Sequence, residues 1–334
     1  MMYRCAGVLV LACAASAAHA QAPWKPERNV EILVASKAGT GPDRLARMIQ
    51  KLWSEQKDMN FTTSVVTRAG GGGTILWTYM TQRRGDPHHL MITSYNIVVN
   101  HIVGKTTLTY TDFTPVSLLA SEWIGYSVKA DSPYKTIQDL VAAIKADPDK
   151  FPIAVSSNAG GANHIAASLA LKAAGVDLKK AKFVVYSGNN EATISVMGGH
   201  SVMTAGSVGG IAPHFSNGQT RVLAFAAPQR VGGIFAHVPT MTEAGLPVVA
   251  NNWRLVMAPK DLTPAQATYW DEAFKRLATS DEWNKMMQAQ YLANSYLGAA
   301  DLRKYLDRQY GEVRQILTDI GMAKPPGSAI TTAK

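Results

Sequence analysis

The chain is poor in cysteine and lacks long hydrophobic runs. Its two cysteines, Cys5 and Cys13, both fall within the first twenty of 334 residues, a segment with the features of a cleaved export signal. The mature protein is therefore expected to contain no cysteine, which excludes disulfides and cysteine-ligated metals. Beyond this segment no apolar run reaches the roughly 18–20 residues of a spanning helix, so we expect an exported protein that does not cross the membrane.

Charged side chains are also sparse, at 17% of the chain against 47% hydrophobic residues. That balance allows a large buried core and is untypical of disordered or low-complexity chains. At roughly 100–200 residues per domain, the length predicts two domains or one large one. The 33 basic and 24 acidic residues give a formal net charge of +9, which favours an anionic partner without defining its class.

The N-terminal segment has the three parts of a secretory signal. Arg4 precedes an apolar stretch over residues 6–18, and Ala-His-Ala at 18–20 supplies the small-x-small cleavage pattern. We expect cleavage after Ala20 and export to the periplasm. A faint lipobox pattern that ends at Cys13 leaves lipidation of that residue as an alternative.

Short apolar strands alternate with helical segments along most of the chain. Strands are predicted over residues 29–35, 61–66, 89–93, 152–155, 182–186, 201–204 and 221–226, and helices over 43–54, 74–81, 137–146, 162–174, 191–197 and 208–215. This order is typical of parallel βαβ units. Residues 264–279 and 300–320 carry the apolar spacing of helices packed by one face. We therefore predict an α/β fold of two doubly wound lobes with a C-terminal helical segment.

The loops that follow the predicted strands are neutral and rich in Gly, Ser, Thr and Asn. Their sequences are AGTGPD, TSYN, SSNAGG, SGNN and TAGS, and none contains Lys or Arg. In doubly wound sheets, ligands bind at the carboxyl ends of strands, where such loops lead into helices. Free backbone N–H groups at helix N-termini, together with hydroxyls, hold an anion without a formal positive charge. The loops therefore predict an anion site.

Motifs of nucleotide-binding proteins and common hydrolases are missing. Gly39-Thr40-Gly41 is followed by Arg44 where a dinucleotide fingerprint has its third glycine, and the four glycines at 70–73 lack the Lys-Ser or Lys-Thr of a P-loop. No Gly-x-Ser-x-Gly or His-Glu-x-x-His pattern occurs. The basic residues are scattered rather than interleaved with aromatics, which argues against nucleic acid. These absences argue against nucleotide binding and against the common hydrolase classes.

Three histidines need separate comment. His88 and His89 are expected in an exposed turn before a strand. His164 falls in the first turn of the helix after SSNAGG, where two roles stay open. It contacts the ligand directly, or it packs under the loop and hydrogen-bonds to the backbone.

Longer segments match one family in order. They are DFTPVSLLA, SSNAGGANH, VVYSGNNEATISVMGGH, RVLAFAAPQR, VPTMTEAGLP and NNWRLVMAP, and the match runs from about Trp24 to Met322. Together they resemble the solute-binding proteins of tripartite tricarboxylate transporters, the Bug family of periplasmic receptors. The resemblance implies a two-lobed Venus-flytrap protein that captures a small organic carboxylate without catalysis, cofactor or metal. The ligand would be an aliphatic di- or tricarboxylate or an aromatic dicarboxylate such as terephthalate.

The resemblance also implies how the chain is divided and what it contacts. Lobe one would comprise residues 22–121 and 249–334, and lobe two residues 122–248, with a hinge near 121–123 and 249–253. The partners would be the small organic carboxylate and the membrane permease subunits of the transporter, and we expect a monomer. A ligand-presenting sensor subunit for a membrane histidine kinase would use the same closed form and stays open as an alternative.

In the family, a ligand carboxylate lies between one loop from each lobe, held by backbone N–H groups, hydroxyls and water. Carried onto this sequence, the candidate ligand-binding residues are Ala38, Gly39, Thr40, Gly41, Asp43, Ser94, Tyr95, Ser156, Ser157, Asn158, Ala159, Gly160, Asn163, His164, Asn189, Asn190, Thr204, Gly206 and Arg254. Arg254 stands where the family commonly has an apolar or aromatic residue. It would pair with the far carboxylate of a dianion, or alternatively bridge the lobes at the surface.

Overall fold

The computed structural model describes residues 24–56, 59, 61–156 and 158–325. The predicted signal segment, with Cys5 and Cys13, and the candidate Ser157 lie outside the described residues. Among the helices that are described, none combines the length and the apolar character needed to cross a membrane.

Strands and helices alternate through the first part of the described chain. In order, they are β1 (Val30–Val34), α1 (Gly41–Glu55), β2 (Thr63–Thr67), α2 (Thr74–Thr81), β3 (His89–Thr93), α3 (Asn96–Ile102), β4 (Phe113–Lys129), α4 (Ile137–Ala146), β5 (Ile153–Ser156), α5 (Ala162–Ala173), β6 (Phe183–Tyr186), α6 (Asn189–Met197), β7 (Met203–Ser207), α7 (Val208–Ser216) and β8 (Thr220–Phe225). The remaining elements are β9 (Asn251–Pro259), α8 (Pro264–Thr279), α9 (Asp281–Ala289), β10 (Ala293–Gly298) and α10 (Ala299–Asp319).

The strands form two groups that share β4. In the first, β2, β1 and β3 are parallel, while β9, β4 and β10 continue the sheet in antiparallel pairs. In the second, β6, β5 and β7 are parallel, and β7 and β8 each pair antiparallel with β4. The predicted parallel βαβ units are confirmed. We refer to the two groups, with their helices, as the first and second lobes.

We propose that the lobes divide where β4 changes its partners. β4 pairs with β9 as far as Trp123, opposite Asn251, and from Ile124 onward it pairs with β7 and β8. This exchange of partners supports the predicted hinge at 121–123 and 249–253.

Helices cover both faces of the sheet in each lobe, because successive residues of a strand point to opposite sides. In β1, Ile32 packs in a core with α1, α8 and α9, whereas Leu33 packs in a core with α2, α3 and α10. In β5, Ile153 and Val155 face α4 and α5, and Ala154 faces α6. The predicted α/β fold with doubly wound lobes is confirmed.

Residues that are close in sequence determine where several helices begin. Pro42 lies in the first turn of α1, where its missing N–H is not needed. Thr136 with Asp139, and Thr263 with Gln266, form capping boxes at the starts of α4 and α8. In each box two otherwise unpaired backbone N–H groups receive side-chain acceptors.

The elements α3, β4, β9 and α9 were not among those predicted from the apolar pattern, and three further differences from the prediction follow. α6 begins at Asn189, so the two asparagines predicted in the preceding loop lie in its first turn. β7 extends to Ser207 because its pairing with β4 continues to Ile124, so Thr204 and Gly206 are strand residues rather than loop residues. The C-terminal segment is interrupted by β10, which exists because β4 offers it a pairing edge.

The expected exposure of His88 and His89 is wrong. Each residue is only 8% exposed. The Nδ1 atoms of the two rings lie 3.2 and 3.1 Å from the carboxylate oxygens of Asp86, and Trp24 packs edge-on against His88. Burial is tolerated because a carboxylate faces both imidazoles.

Candidate functional site

A cavity of about 490 Å³ lies between the lobes, at the carboxyl ends of the parallel strands. Nine of the candidate residues line it: Thr40, Gly41, Ser94, Tyr95, Ser156, Asn158, Asn163, Asn189 and Arg254. The cavity therefore brings together nine of the eighteen candidates that the structure describes, with members from each lobe.

The other described candidates do not form part of this wall. They are Ala38, Gly39, Asp43, Ala159, Gly160, His164, Asn190, Thr204 and Gly206, none of which is among the cavity-lining residues. Most of them shape the two loops and their helices, as described below. Position in a loop was the signal that selected them, and that signal does not distinguish residues facing the cavity from residues facing the protein.

The loop between β1 and α1 is held by its own side chains. Ser36 Oγ lies 2.7 Å from Thr40 Oγ1, and the Thr40 hydroxyl donates to the carbonyl of Lys37 at 2.7 Å. Gly39 takes a φ of +78°, a conformation that glycine adopts without strain. The result is a tight turn that places Thr40 and Gly41 on the cavity wall.

Asp43 closes the turn from behind. It is 1% exposed and accepts hydrogen bonds from the backbone N–H of Gly39 at 2.8 Å and from Arg47 Nε at 3.0 Å. The Arg47 hydrogen bond holds the pKa of the Asp43 carboxyl below its usual range, against the opposing effect of burial. Asp43 therefore positions the loop rather than lining the cavity.

Four side chains form a connected hydrogen-bond network on the second lobe. Ser156 Oγ donates to Asn189 Oδ1 at 2.7 Å, and Asn163 Nδ2 donates to Ser156 Oγ and, at 3.0 Å, to Asn189 Oδ1. Asn189 Nδ2 donates to Ser207 Oγ at 2.8 Å. All four residues line the cavity. The network ties together the ends of β5 and β7 and the starts of α5 and α6, so this wall is preorganised.

His164 lies beneath the loop that follows β5. Its Nδ1 accepts the backbone N–H of Gly160 at 2.8 Å, its ring packs against Phe183 with centroids 4.2 Å apart, and the residue is 5% exposed. Burial lowers the pKa of the imidazole to about 4. This geometry corresponds to the second role considered from sequence, in which the ring packs under the loop and hydrogen-bonds to the backbone.

Four helices of nine or more residues start at the cavity wall without a side-chain cap. The lining residues include Gly41, Ala162 and Asn189, the first residues of α1, α5 and α6, and Ser207, which precedes α7. In none of the four does a side chain at the N-cap accept a hydrogen bond from the helix. By contrast, α4, α8 and α9 begin away from the cavity and are capped by Thr136, Thr263 and Ser280. The first N–H groups of the cavity helices are thus left for another acceptor.

Arg254 and Glu122 form an ion pair in the cavity wall. Arg254 Nη2 donates to Glu122 Oε2 at 3.2 Å, and the two side chains are 10% and 15% exposed. Arg254 Nη1 donates to the carbonyl of Trp253 at 3.3 Å. Burial lowers the pKa of the guanidinium, and the Glu122 carboxylate acts in the opposite direction. The predicted Arg254 is therefore at the cavity, with a partner from the protein itself.

Sequence reasoning missed several lining residues, notably Ser36, Arg44, Glu122 and Ser207. Ser36, Arg44 and Ser207 stand next to loops that were recognised, so widening each loop by a few residues would have found them. Glu122 lies at the predicted hinge. A lone glutamate in a strand, 132 residues from the arginine it pairs with, carries no local signal.

Aromatic side chains contribute one wall. Tyr95 lines the cavity and packs against the buried Trp253, with ring centroids 5.2 Å apart. Trp77 also lines the cavity. Within the described residues, no group of three or more His, Cys, Asp or Glu side chains is placed to hold a metal ion.

Comparison with known proteins agrees with this architecture. A family model described as tripartite tricarboxylate transporter family receptor matches residues 45–322, which is most of the chain. The chain belongs to this family. Its members are periplasmic solute-binding proteins, so the chain is a binding protein and not an enzyme.

The chain is similar to two curated relatives along most of its length. Protein BugT of Bordetella pertussis is 26% identical over 263 residues, which cover 77% of this chain and 78% of BugT. The UPF0065 protein in gbd 5′ region of Cupriavidus necator is 25% identical over 322 residues, which cover 96% of this chain and 95% of that protein. The predicted membership of the Bug family is confirmed.

Solved structures show the same fold. MatC from Rhodopseudomonas palustris with bound malate matches with a TM-score of 0.71 and 19% identity, over 88% of this chain and 100% of MatC. An R. palustris protein with adipate matches with a TM-score of 0.75 and 24% identity, over 89% of this chain and 99% of that one.

Proposed function

We propose that the chain is an exported, monomeric receptor that captures a small organic carboxylate between its lobes. It then delivers the ligand to the membrane permease subunits of a tripartite tricarboxylate transporter. Membership of the receptor family supports this role, and the predicted signal segment supports export to the periplasm.

The observation that carries the proposal is the set of four uncapped helix starts on the cavity wall. An anion near a helix N-terminus gains about 0.3–1 kcal/mol from the helix dipole, and up to about 2 kcal/mol in a partly buried position. The N-termini of α1 in the first lobe and of α5, α6 and α7 in the second lobe begin at one cavity. A carboxylate bound there takes donors from both lobes at once, so it favours the closed form over any open one.

The candidate residues divide into two roles under this proposal. Gly41 and Asn189 present N–H donors to the carboxylate, with Thr40, Ser94, Tyr95, Ser156, Asn158 and Asn163 completing the wall. Gly39, Asp43, Ala159, Gly160, His164, Thr204 and Gly206 act indirectly, because they hold the loops and strands in place, whereas Ala38 and Asn190 are exposed and do not line the cavity.

The ligand class follows from the same donors. Neutral N–H and O–H groups suit a carboxylate, and two solved structures of similar fold contain adipate and malate. We extend carboxylate binding to this chain on those grounds. The di- or tricarboxylate class expected from sequence, including terephthalate, belongs in the first ligand screen.

The test is a thermal-shift screen followed by calorimetry. A ligand that binds only the folded protein raises its melting temperature, so at least one carboxylate should give a clear shift. Matched amines and neutral sugars should give none. A protein that binds no carboxylate, or that binds the amines as well, would contradict the proposal.

Asn189 and Asn190 offer a matched pair for the same measurement. Asn189 lines the cavity, whereas the exposed Asn190 does not. Loss of a hydrogen bond to a charged group costs about 1.5–3 kcal/mol, so Asn189→Ala should weaken binding by about tenfold or more. Asn190→Ala should bind as the parent protein does. Equal affinities in the two variants would show that the ligand does not contact the start of α6.

A further inference from the structure

Three side chains with a formal charge belong to the cavity wall among the described lining residues, namely Arg44, Glu122 and Arg254. Arg254 is paired with Glu122, whereas Arg44 donates to the carbonyl of Gly39 at 2.8 Å and forms no ion pair within the described residues. Two cations and one anion leave a net charge of +1 on the wall. One ligand carboxylate neutralises this charge, and a second carboxylate would make the sum negative.

Strand pairing fixes the position of the Arg254–Glu122 ion pair. Arg254 of β9 lies opposite Ala120 of β4, and Glu122 of β4 lies opposite Asn252. Alternate residues of a strand point to the same face of a sheet, so Glu122 and Arg254 are diagonal neighbours on one face, within reach of long side chains. Both ends of the ion pair are therefore anchored in one antiparallel ladder, next to the proposed hinge.

Each lobe contributes a glycine beside this ion pair. A Cβ added at Gly41, the first residue of α1, would lie 3.6 Å from Arg254 Nη2. A Cβ added at Gly209, in the first turn of α7, would lie 3.4 Å from Glu122 Oε1. Because neither glycine has a side chain to cover the ion pair, the Arg254 and Glu122 side chains stay 10% and 15% exposed. The ion pair is thus part of the cavity wall.

The ion pair leaves one donor and one acceptor unused. Arg254 Nη2 donates to Glu122 Oε2 at 3.2 Å, and Arg254 Nη1 donates to the carbonyls of Asn252 and Trp253 at 3.4 and 3.3 Å. Within the described residues, Arg254 Nε donates to no acceptor, Glu122 Oε1 accepts from no donor, and neither atom is fully buried. A guanidinium N–H and a carboxylate oxygen therefore remain for a ligand.

A neutral group that both accepts and donates fits this pair of side chains. A primary carboxamide accepts at its carbonyl oxygen and donates at its nitrogen, so it satisfies Arg254 and Glu122 together. A second carboxylate would meet Glu122 as a like charge, and an ammonium group would meet Arg254 in the same way. A methyl group would desolvate both side chains and leave them without a new partner.

We infer that the preferred ligand is a monocarboxylate whose far end is a carboxamide. Its carboxylate binds at the uncapped helix starts, and its carboxamide accepts a hydrogen bond from Arg254 and donates one to Glu122. Glu122 is a specificity-determining residue, because it supplies the acceptor for the amide and repels a second carboxylate. This inference rests on the proposed function and narrows its ligand class.

Diacids and their monoamides are the matched probes, since the two are nearly equal in size and differ by one charge. Succinate, glutarate, adipate and terephthalate are each compared with the monoamide of the same acid by calorimetry. On the carbon skeleton that binds best, the monoamide should bind the parent protein about tenfold or more tightly than the diacid, because it exchanges a like-charge contact for a hydrogen bond to a charged group.

A third acid on the same skeleton separates amide recognition from the mere loss of a charge. It carries a methyl group in place of the carboxamide, as pentanoate does relative to the monoamide of glutarate. This acid should bind about tenfold or more weakly than the monoamide, because it makes no hydrogen bond to Arg254 or Glu122.

Glu122→Gln changes the charge of the wall while keeping the size of the side chain. The diacid should then gain affinity and the monoamide lose it, since Arg254 lacks its counter-ion, so the preference for the monoamide should fall by about tenfold or reverse. Glu312→Gln, at an exposed glutamate that does not line the cavity, should keep the parent preference. Melting temperatures show whether both variants fold. If Glu122→Gln does not fold, the comparison of the three acids in the parent protein decides.

The outcomes separate this inference from the proposed function. A diacid or a methyl-ended acid that binds the parent protein as tightly as the monoamide overturns the inference. An unchanged preference in folded Glu122→Gln also overturns it, as does binding of other carboxylates but of none of the monoamides. In each of these cases carboxylate capture still stands. Binding of no carboxylate, in this series or in the wider screen, removes the proposed function itself.

Discussion

His164 shows how one buried side chain makes stability depend on pH. Its folded-state pKa of about 4 lies below the ordinary value of 6.5 because the ring is buried. Above pH 6.5 the imidazole is neutral in both the folded and the unfolded chain. As pH falls below 6.5, the unfolded chain binds a proton that the folded chain does not, so the free energy of unfolding decreases by up to about 3 kcal/mol near pH 4.

His164→Asn should reduce this loss. The Oδ1 atom of asparagine can accept the Gly160 N–H in place of the imidazole nitrogen, and asparagine does not titrate. We expect urea unfolding to give a shallower fall in stability between pH 6.5 and 4.5 than in the parent protein. His200→Asn, on the exposed surface, is the control and should keep the parent slope. Parallel curves for His164→Asn and the parent would contradict the assignment.

Individual residues also mark the limit of prediction from sequence. Thr40 and Gly41 were found because Gly and Pro fix a turn locally. Glu122 was not found, because its importance comes from Arg254, which is distant in the chain and adjacent only after β4 and β9 pair. Likewise, Asp86 is close in sequence to His88 and His89, but Trp24, which packs against His88, is distant in sequence and comes close only in the fold.

Among the elements, α6 combines a structural and a functional role. Gly188 precedes it in an extended conformation, with no side chain to cap the first turn. A Cβ added there would meet nothing within 4 Å, so a capping residue would fit. The absence of a cap therefore has no steric cause, and it leaves N–H groups free at the cavity.

Gly188→Asp should stabilise the fold and weaken ligand binding. The new carboxylate would accept hydrogen bonds from the first turn of α6 and stabilise the fold by about half a kcal/mol, the usual gain over glycine at this position. It would also place a negative charge where the ligand carboxylate binds, so affinity should be largely lost. Thr136→Gly, at the capped α4, is the counterpart and should lower stability without changing affinity. Retained binding in Gly188→Asp would place the carboxylate elsewhere.

Element boundaries follow a similar division between local and distant causes. The start of α8 was predictable, since Pro264 and the Thr263–Gln266 box are contiguous in sequence. The end of β7 was not, because it depends on pairing with β4, some eighty residues earlier. β10 lies in a segment with helical neighbours, and it becomes a strand because β4 presents an open edge.

At the scale of the whole molecule, the alternation of strands and helices within each lobe was predictable, whereas β4 and β9, which run between the lobes, and the contacts between lobes were not. The alternating pattern fixed two doubly wound lobes. The C-terminal helix α10 was expected to close back on the first lobe, and it does so by packing on α3 and β4. It also reaches the second lobe, where Nζ of Lys172 in α5 lies 2.6 Å from Oδ2 of Asp319. No sequence pattern predicts this contact between surface charges.

The pairing of β4 with β9 bears on whether the second lobe can be excised from the chain. Trp123 and Asn251 are direct partners across two strands, so the segment from Ile124 to Ala250 leaves and re-enters the first lobe at neighbouring points. Adjacent ends are the condition under which one domain is tolerated as an insert within another. We propose that the stretch is a separable module, whose excision would leave a gap that a short peptide bridge could close.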